Sequence, residues 1–320
     1  MKIVLAAIVI LMVILGIVLW QAVNMLYRLA LDPKGDRSVV MAAPHNSFTP
    51  EEEQAGKDRL KLREKWLESV TQEEVSIYSE DGLKLIGYCY QSLKKEEKTR
   101  WVVICHGYDG KAVDMQDQAR VFSEMGFHIL MPDARSHGKS QGDSISMGWL
   151  ERRDIVKWIE FILKRDPDAD LVLYGISMGA ATVMMTAGEK LPGNVKVVIE
   201  DCGYTSVWDE FAYQLKQLYH LPAFPLMYLF EFLVKKRQGF GVREASALNQ
   251  LKKCHLPILC IHGTKDTFVP VGMVDIIFEQ ANEPKQKLLI EGAEHGGANV
   301  VGKEQYWDTV RDFIFTHISR

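Results

Sequence analysis

Between Leu171 and Met185 the chain reads LVLYGISMGAATVMM. Ser177 sits between Gly175 and Gly179, after a short apolar run and before a helix-like run of small and apolar residues. At a strand-to-helix junction, G-x-S-x-G makes a sharp turn that lifts the serine hydroxyl out of the sheet. The glycines let strand and helix approach closely, and the helix N-terminus faces any negative charge that develops there. A glycine-rich turn without chemistry has the same letters, but the flanking strand and helix patterns favour a nucleophile. Such a serine needs a base, and the base needs an orienting acid. ILCIHGTKDTFVP places Asp266 in a loop after an apolar strand pattern. KLLIEGAEHGGANV places His295 after the next one, flanked by glycines that permit a tight, inward-pointing loop. The chemistry expected of Ser177, His295 and Asp266 is attack on an acyl carbonyl, proton transfer and release of the acyl group by water. Asp201, after VKVVIE, is a rival acid whose alternative is a strand-end cap. His106 could be a second base; the reading preferred for it and for His262 is a strand-end histidine bonded to loop backbone. The Met178 amide, next after the serine, is one expected oxyanion donor, and the Met178 side chain is expected only to pack.

The elements that must carry these residues follow from periodicity. EVSIYS and LKLIGYCYQ, joined by Asp81-Gly82, read as an antiparallel hairpin. WVVICHG, FHILMPD, DLVLYG, VKVVIED, PILCIHG and KLLIEG read as short strands, most of them apolar throughout, as in strands buried on both faces. Helical patterns alternate with them, so the expected fold class is α/β, a mostly parallel, doubly wound sheet with an antiparallel start. Reactive groups then gather beyond the carboxyl ends of the strands.

The stretch 203–247 interrupts this rhythm with an aromatic-rich insertion split by Pro222 and Pro225. Two readings stand. Its helices cover the sheet as core, or they form a cap whose apolar underside binds the acyl chain, with Phe224 and Met227 as substrate-binding residues. In the second case Lys235, Lys236 and Arg237 lie on the cap's wet edge near lipid headgroups.

Ahead of the domain, Ile3 to Trp20 carries no charged or polar side chain. Continued to Tyr27 it has the length to cross a bilayer. A cleaved signal peptide has a shorter apolar region and a small-x-small site, which QAVNMLYRLALD does not offer. The domain plan is therefore an anchor over 1–28, a stalk and linking helix over 29–73, and a catalytic domain over 74–320 containing the cap. Thr49, Pro50 and the acids after them mark the start of the linking helix. Charge flanking the anchor gives no orientation bias. The two-residue tail before it suggests that the domain is exported. Five cysteines, an odd number, stand against this, but Cys105 and Cys260 lie in apolar strand-like runs and read as buried hydrophobes, so export to a disulfide-poor cell surface fits both. A net charge of −4, with no basic run interleaved with aromatics, excludes a nucleic-acid partner. No Walker, H-E-x-x-H or cysteine-pair pattern occurs, so neither a cofactor nor a metal is expected.

From about Glu74 onward the chain resembles the α/β-hydrolase superfamily, through HGYDG, PDARSHGKSQG, YGISMGA, HGTKDTFVP and EHGG. The order Ser177, Asp266, His295 is that superfamily's order. PDARSHGKSQG and IEDCGYTS are similar to bacterial membrane-anchored hydrolases of the prolyl-oligopeptidase-like and acyl-esterase branch. By analogy with the His-Gly loops of such esterases, the second oxyanion donor is the amide of Tyr108. The resemblance also implies that Asp133, Arg135, His137 and Ser140 organise the loop beside the site. It implies a single-pass membrane serine hydrolase acting on an acyl-ester small molecule or lipid-like substrate. A peptidase or a thioesterase uses the same residues, and a silent binding protein on the same fold is the non-enzymatic alternative.

Overall fold

A computed structural model describes residues 2–36, 50–92, 94 and 98–318. The middle of the expected stalk, with the expected helix cap Thr49, lies outside the described residues. Eight strands form one sheet: β1 (Gln72–Tyr78), β2 (Lys84–Tyr90), β3 (Arg100–Cys105), β4 (His128–Pro132), β5 (Asp170–Ile176), β6 (Val195–Asp201), β7 (Ile258–Gly263) and β8 (Lys285–Ile290). Their order is β1-β2-β4-β3-β5-β6-β7-β8. The β1–β2 and β2–β4 pairs are antiparallel and the remaining pairs are parallel. This is the mostly parallel, doubly wound arrangement expected from the strand patterns, including the antiparallel hairpin at the start.

The helices are α1 (Lys2–Leu31), α2 (Pro50–Ser69), α3 (Gln116–Glu124), α4 (Glu151–Arg165), α5 (Met178–Ala187), α6 (Val207–Tyr219), α7 (Leu226–Gln238), α8 (Ala247–Leu251), α9 (Gly272–Gln280), α10 (Ala298–Val301) and α11 (Lys303–His317). Alternate residues of β3 point to opposite faces of the sheet, which is why its six residues are all buried. Trp101, Val103 and Cys105 join one apolar cluster with Trp158 of α4, Met184 of α5 and Phe230 of α7. Val102 and Ile104 join another with Phe122 of α3 and Tyr306 and Val310 of α11. The solvated α2 is tied to the second cluster near its end, where Trp66 packs on Tyr90 with ring centroids 5.0 Å apart.

α1 is long and apolar enough to cross a membrane, with a mean hydropathy of 3.3. Its two ends live in different surroundings. Ile3 to Val18 are largely exposed, whereas Val23, Tyr27 and Leu31 are buried in the domain's own core. The Tyr108 hydroxyl donates to the Ala30 carbonyl at 2.7 Å, and the Ile145 amide donates to the Leu31 carbonyl at 2.8 Å. Arg237 of α7 donates to the Asn24 side chain at 2.7 Å and lies 4.4 Å over the Tyr27 ring. The helix passes the expected boundary between anchor and stalk at residue 29 without a break. The helix runs on to Leu31 because its last turns carry residues that fill the groove beside α7.

A truncation series tests this docking. Full burial of a Val, Leu or aromatic side chain contributes roughly 1.5–3 kcal/mol. Removing residues 1–31 should lower the melting temperature well below that of a protein lacking only residues 1–18. Equal melting temperatures would mean that the end of α1 adds nothing to the domain.

Candidate active site

β5 runs straight into Ser177, and α5 begins at the next residue. Ser177 adopts φ 56° and ψ −118°, a left-handed conformation that a side chain rarely takes. Neighbouring backbone holds it there. The Ser177 amide donates to the Asp201 carbonyl at the end of β6, at 2.8 Å. A methyl group on Gly175 would overlap the Gly179 carbonyl, and one on Gly179 would overlap the Cys105 carbonyl at the end of β3. The two glycines are thus what allows α5 to press against the ends of β5 and β3.

The loops after β7 and β8 arrive at the same edge. His295 Nε2 lies 2.8 Å from Ser177 Oγ, and its Nδ1 lies 2.7 Å from Asp266 Oδ2. A carboxylate on the Nδ1 side leaves the proton there and frees Nε2 to accept from the serine hydroxyl. Asp266 Oδ1 accepts from the amides of Phe268 and Val269, both at 2.9 Å. His262 adds Nε2 at 3.2 Å from Asp266 Oδ2 and donates to the Val269 carbonyl at 2.9 Å. Burial pushes the Asp266 carboxyl upward, yet the hydrogen bonds from His262 and His295 outweigh it and hold the group below the ordinary Asp value. Burial pulls His262 down, and its bonds to Asp266 and the Val269 carbonyl more than reverse that.

Met178 opens α5, and the loop carrying Tyr108 lies alongside, with a Cβ on Gly107 falling 3.5 Å from the Ser177 Cβ. Asp201 adjoins the site through its backbone, but its side chain bonds other partners. It is fully buried and takes the Tyr306 hydroxyl at 2.8 Å, which in turn meets the Tyr174 hydroxyl at 2.8 Å. Burial raises Asp201 to about 6, only partly offset by that one side-chain donor. His106 bonds the Gly107 carbonyl through Nδ1 at 2.7 Å and accepts the Ala134 amide at Nε2 at 3.0 Å. Burial pulls it down to about 3, so it is neutral. In the neighbouring loop, Asp133 accepts the amides of Ala112 and Lys139, and Arg135 is paired with Asp154 and Asp81. Ser140 donates to the Asp133 carbonyl, and His137 Nδ1 bonds the Arg135 carbonyl. These four residues bind their own loop and its neighbours.

α6 and α7 roof an open, mainly apolar cavity that reaches Ser177 and Met178 and, with the open solvent at its mouth, takes in about 780 Å³. Met227 and Phe230 line it from α7, Phe211 and Leu215 from α6, and Leu26 and Leu29 from α1. Met227 is where the cap reading expects it. Phe224 is not: it lies outside the cavity, 71% exposed, with its ring against Tyr228. α7 starts only at Leu226, two residues after Phe224, and its helical phase turns positions 227 and 230 inward and 228 outward.

Several site residues escape sequence reasoning. Tyr306 comes from the C-terminal helix with no motif around it. Cys202 sits behind the site, its Sγ, an Asp266 carboxylate oxygen and a His295 nitrogen all within 4.8 Å of one another. Burial raises the Cys202 thiol well above its ordinary value, so it stays protonated. Glu210 lines the apolar cavity. Gln214 donates to its Oε1 at 2.9 Å, while Oε2 is buried with no partner among the described residues. Burial pushes this carboxyl up to about 8. One acid at i and one amide at i+4 on an apolar helix face was the only available signal.

The family model described as serine aminopeptidase, S33, matches residues 96–235. The Bacillus subtilis protein YqkD is 30% identical over 214 residues, 67% of this chain and 70% of its own length. Among solved structures, the Pyrococcus furiosus esterase Pf2001 superposes with a TM-score of 0.63 at 21% identity, over 86% of this chain and 97% of that one. An acylaminoacyl peptidase from Pyrococcus horikoshii gives 0.58 at 19% identity, over 77% of this chain and 41% of that one. The two structural likenesses carry the fold.

Glu210 generates a pH prediction. Its proton is held in the folded chain and lost from the unfolded chain above the ordinary Glu value of 4.5. Its stabilising contribution is therefore complete below that value and is lost as pH rises to about 8. Glu210→Gln should gain thermal stability relative to the parent as pH rises from 5 to 9. A difference between the two proteins that stays constant over that range would refute the raised carboxyl.

Proposed function

We propose that this chain, which belongs to the α/β-hydrolase superfamily, is a membrane-anchored serine hydrolase cleaving carboxylic esters of apolar acyl groups. The observation that carries the reading is one unbroken relay, Ser177 Oγ to His295 to Asp266, opening onto an apolar cavity. His295 Nε2 removes the hydroxyl proton as Ser177 Oγ attacks the carbonyl carbon. Asp266, itself held by two backbone amides, stabilises the imidazolium through Nδ1. Negative charge on the carbonyl oxygen falls to the amide of Met178 at the N-terminus of α5 and to that of Tyr108 in the loop after β3. His295 then protonates the leaving alcohol, and water repeats the sequence to free the acid. The acyl group lies against Met227 and Phe230. The anchor is α1, with the domain on the extracytoplasmic side.

Peptide hydrolysis is the second reading, and Glu210 is the observation in its favour, since a carboxylate lining the same cavity as the nucleophile can bind a substrate ammonium. The apolar burial that keeps Glu210 protonated weighs against it. Ester cleavage is preferred.

Substitutions separate the roles. Ser177→Ala should reduce turnover of an ester on the order of 10⁶-fold, and Asp266→Asn roughly 10⁴-fold, as in other triads of this kind. Asp201→Asn should have a far smaller effect. More than about a hundredth of the activity remaining in Ser177→Ala, where triads lose nearly all of it, would remove the serine from its role. A larger loss in Asp201→Asn than in Asp266→Asn would move the orienting acid to β6.

A further inference from the structure

α7 has two apolar sides, and the cavity uses one. On the other, Tyr228 and Phe232 stand four residues apart and are 50% and 60% exposed, and Phe224, in the turn just ahead of the helix, is 71% exposed with its ring against Tyr228. Leu221, in the preceding turn, is 42% exposed. Lys235 and Lys236 continue the same face as exposed cations. Isolated apolar residues at a surface are ordinary, but a contiguous aromatic stripe marks a surface that something covers. The patch also runs into the cavity rim, because Leu218 both lines the cavity and is 37% exposed.

α1 fixes the height of this face relative to a bilayer. Its uninterrupted apolar run, Ile3 to Trp20, is about 27 Å long at 1.5 Å per residue, close to a hydrocarbon core of about 30 Å. Asn24 is one turn past Trp20, roughly 6 Å further along. Arg237, at the end of α7, is bonded to that Asn24 at 2.7 Å. The end of α7 is therefore held at the level where α1 leaves the hydrocarbon. Aromatic rings and Lys or Arg side chains are favoured at that depth.

We propose that the outer face of α7 beds in the interface of the bilayer that α1 crosses. Phe224, Tyr228 and Phe232 insert among the upper acyl chains, and Lys235 and Lys236 meet anionic lipid phosphates. α7 is then a shared wall, with bilayer on one side and the Ser177 cavity on the other. This orientation brings the rim at Leu218 and Leu221 to the membrane surface. An acyl chain can then pass from the bilayer to Ser177 along apolar side chains, a consequence that rests on the ester reading of the site.

The experiment uses the full chain in vesicles of phosphatidylcholine and phosphatidylglycerol. The native cysteines are all buried, so a fluorophore can be directed to Phe232→Cys or, as a control on the far face of the sheet, to Asp312→Cys of α11. Doxyl-labelled lipid should quench the label at 232 strongly and the label at 312 hardly at all. Quenching at 232 no greater than at 312 overturns the proposal, whatever the activity of the protein. In parallel, Phe224→Ser combined with Phe232→Ser should leave turnover of a soluble acetate ester unchanged. The same pair should lower turnover of a long-chain ester dissolved in the vesicles roughly tenfold or more, since it removes two buried aromatic contacts. Equal losses on both esters, or none on either, contradict the shared wall. Absence of ester turnover in the parent protein would count against the ester reading while leaving the quenching result to decide the membrane contact.

Discussion

Everything at the site depends on how closely α5 approaches the sheet. Ser177 can hold its left-handed backbone only because Gly175 and Gly179 put no side chain between the helix and the ends of β5 and β3. That approach lifts the hydroxyl above the sheet edge and aims the α5 amides at the space in front of it. β6, β7 and β8 follow β5 in the sheet order, so the loops after β7 and β8 reach the same edge from one side. A 2.8 Å contact between residues 118 positions apart is the result.

Burial alone does not set the charge of the acids gathered here; the number of donors does. Asp266, Asp201, Glu200 and Glu210 are all buried. Asp266 receives two backbone amides and two imidazoles and is held low. For Asp201, burial dominates over the single tyrosine hydroxyl and raises it to about 6. Glu200, with the Gly203 amide, is raised by burial to about 7, and Glu210 to about 8. The outcome is a carboxylate held below its ordinary value behind His295, among buried acids raised above theirs.

How legible this was follows from how local each signal is. Strands buried on both faces, such as β3, β5, β6 and β7, announce themselves as apolar runs, while β1 shows itself only as the first half of a hairpin. Ser177, Asp266 and His295 each stand in a glycine-marked or strand-end loop, so their spacing could be read and their meeting inferred. The Tyr306–Asp201 bond spans 105 positions and has no local mark. Phe224 and Met227 could not be told apart because every face of that segment is apolar, and only the start of α7 at Leu226 sets the phase. The docking of α1 was hidden for a similar reason: its exposed and its core-facing residues are mostly apolar alike, and Tyr27 and Asn24 speak only once α7 lies beside them.

The central claim is that Ser177 becomes acylated through His295 and Asp266. Its most direct test is intact-mass measurement of the protein quenched within the first turnovers of an activated acyl ester, followed by peptide mapping of the adduct. The account predicts a single acyl group on Ser177, formed in the parent protein and missing in His295→Ala at neutral pH. Continued ester turnover with the adduct on another residue, or with no adduct at Ser177 under conditions that trap it, would contradict it.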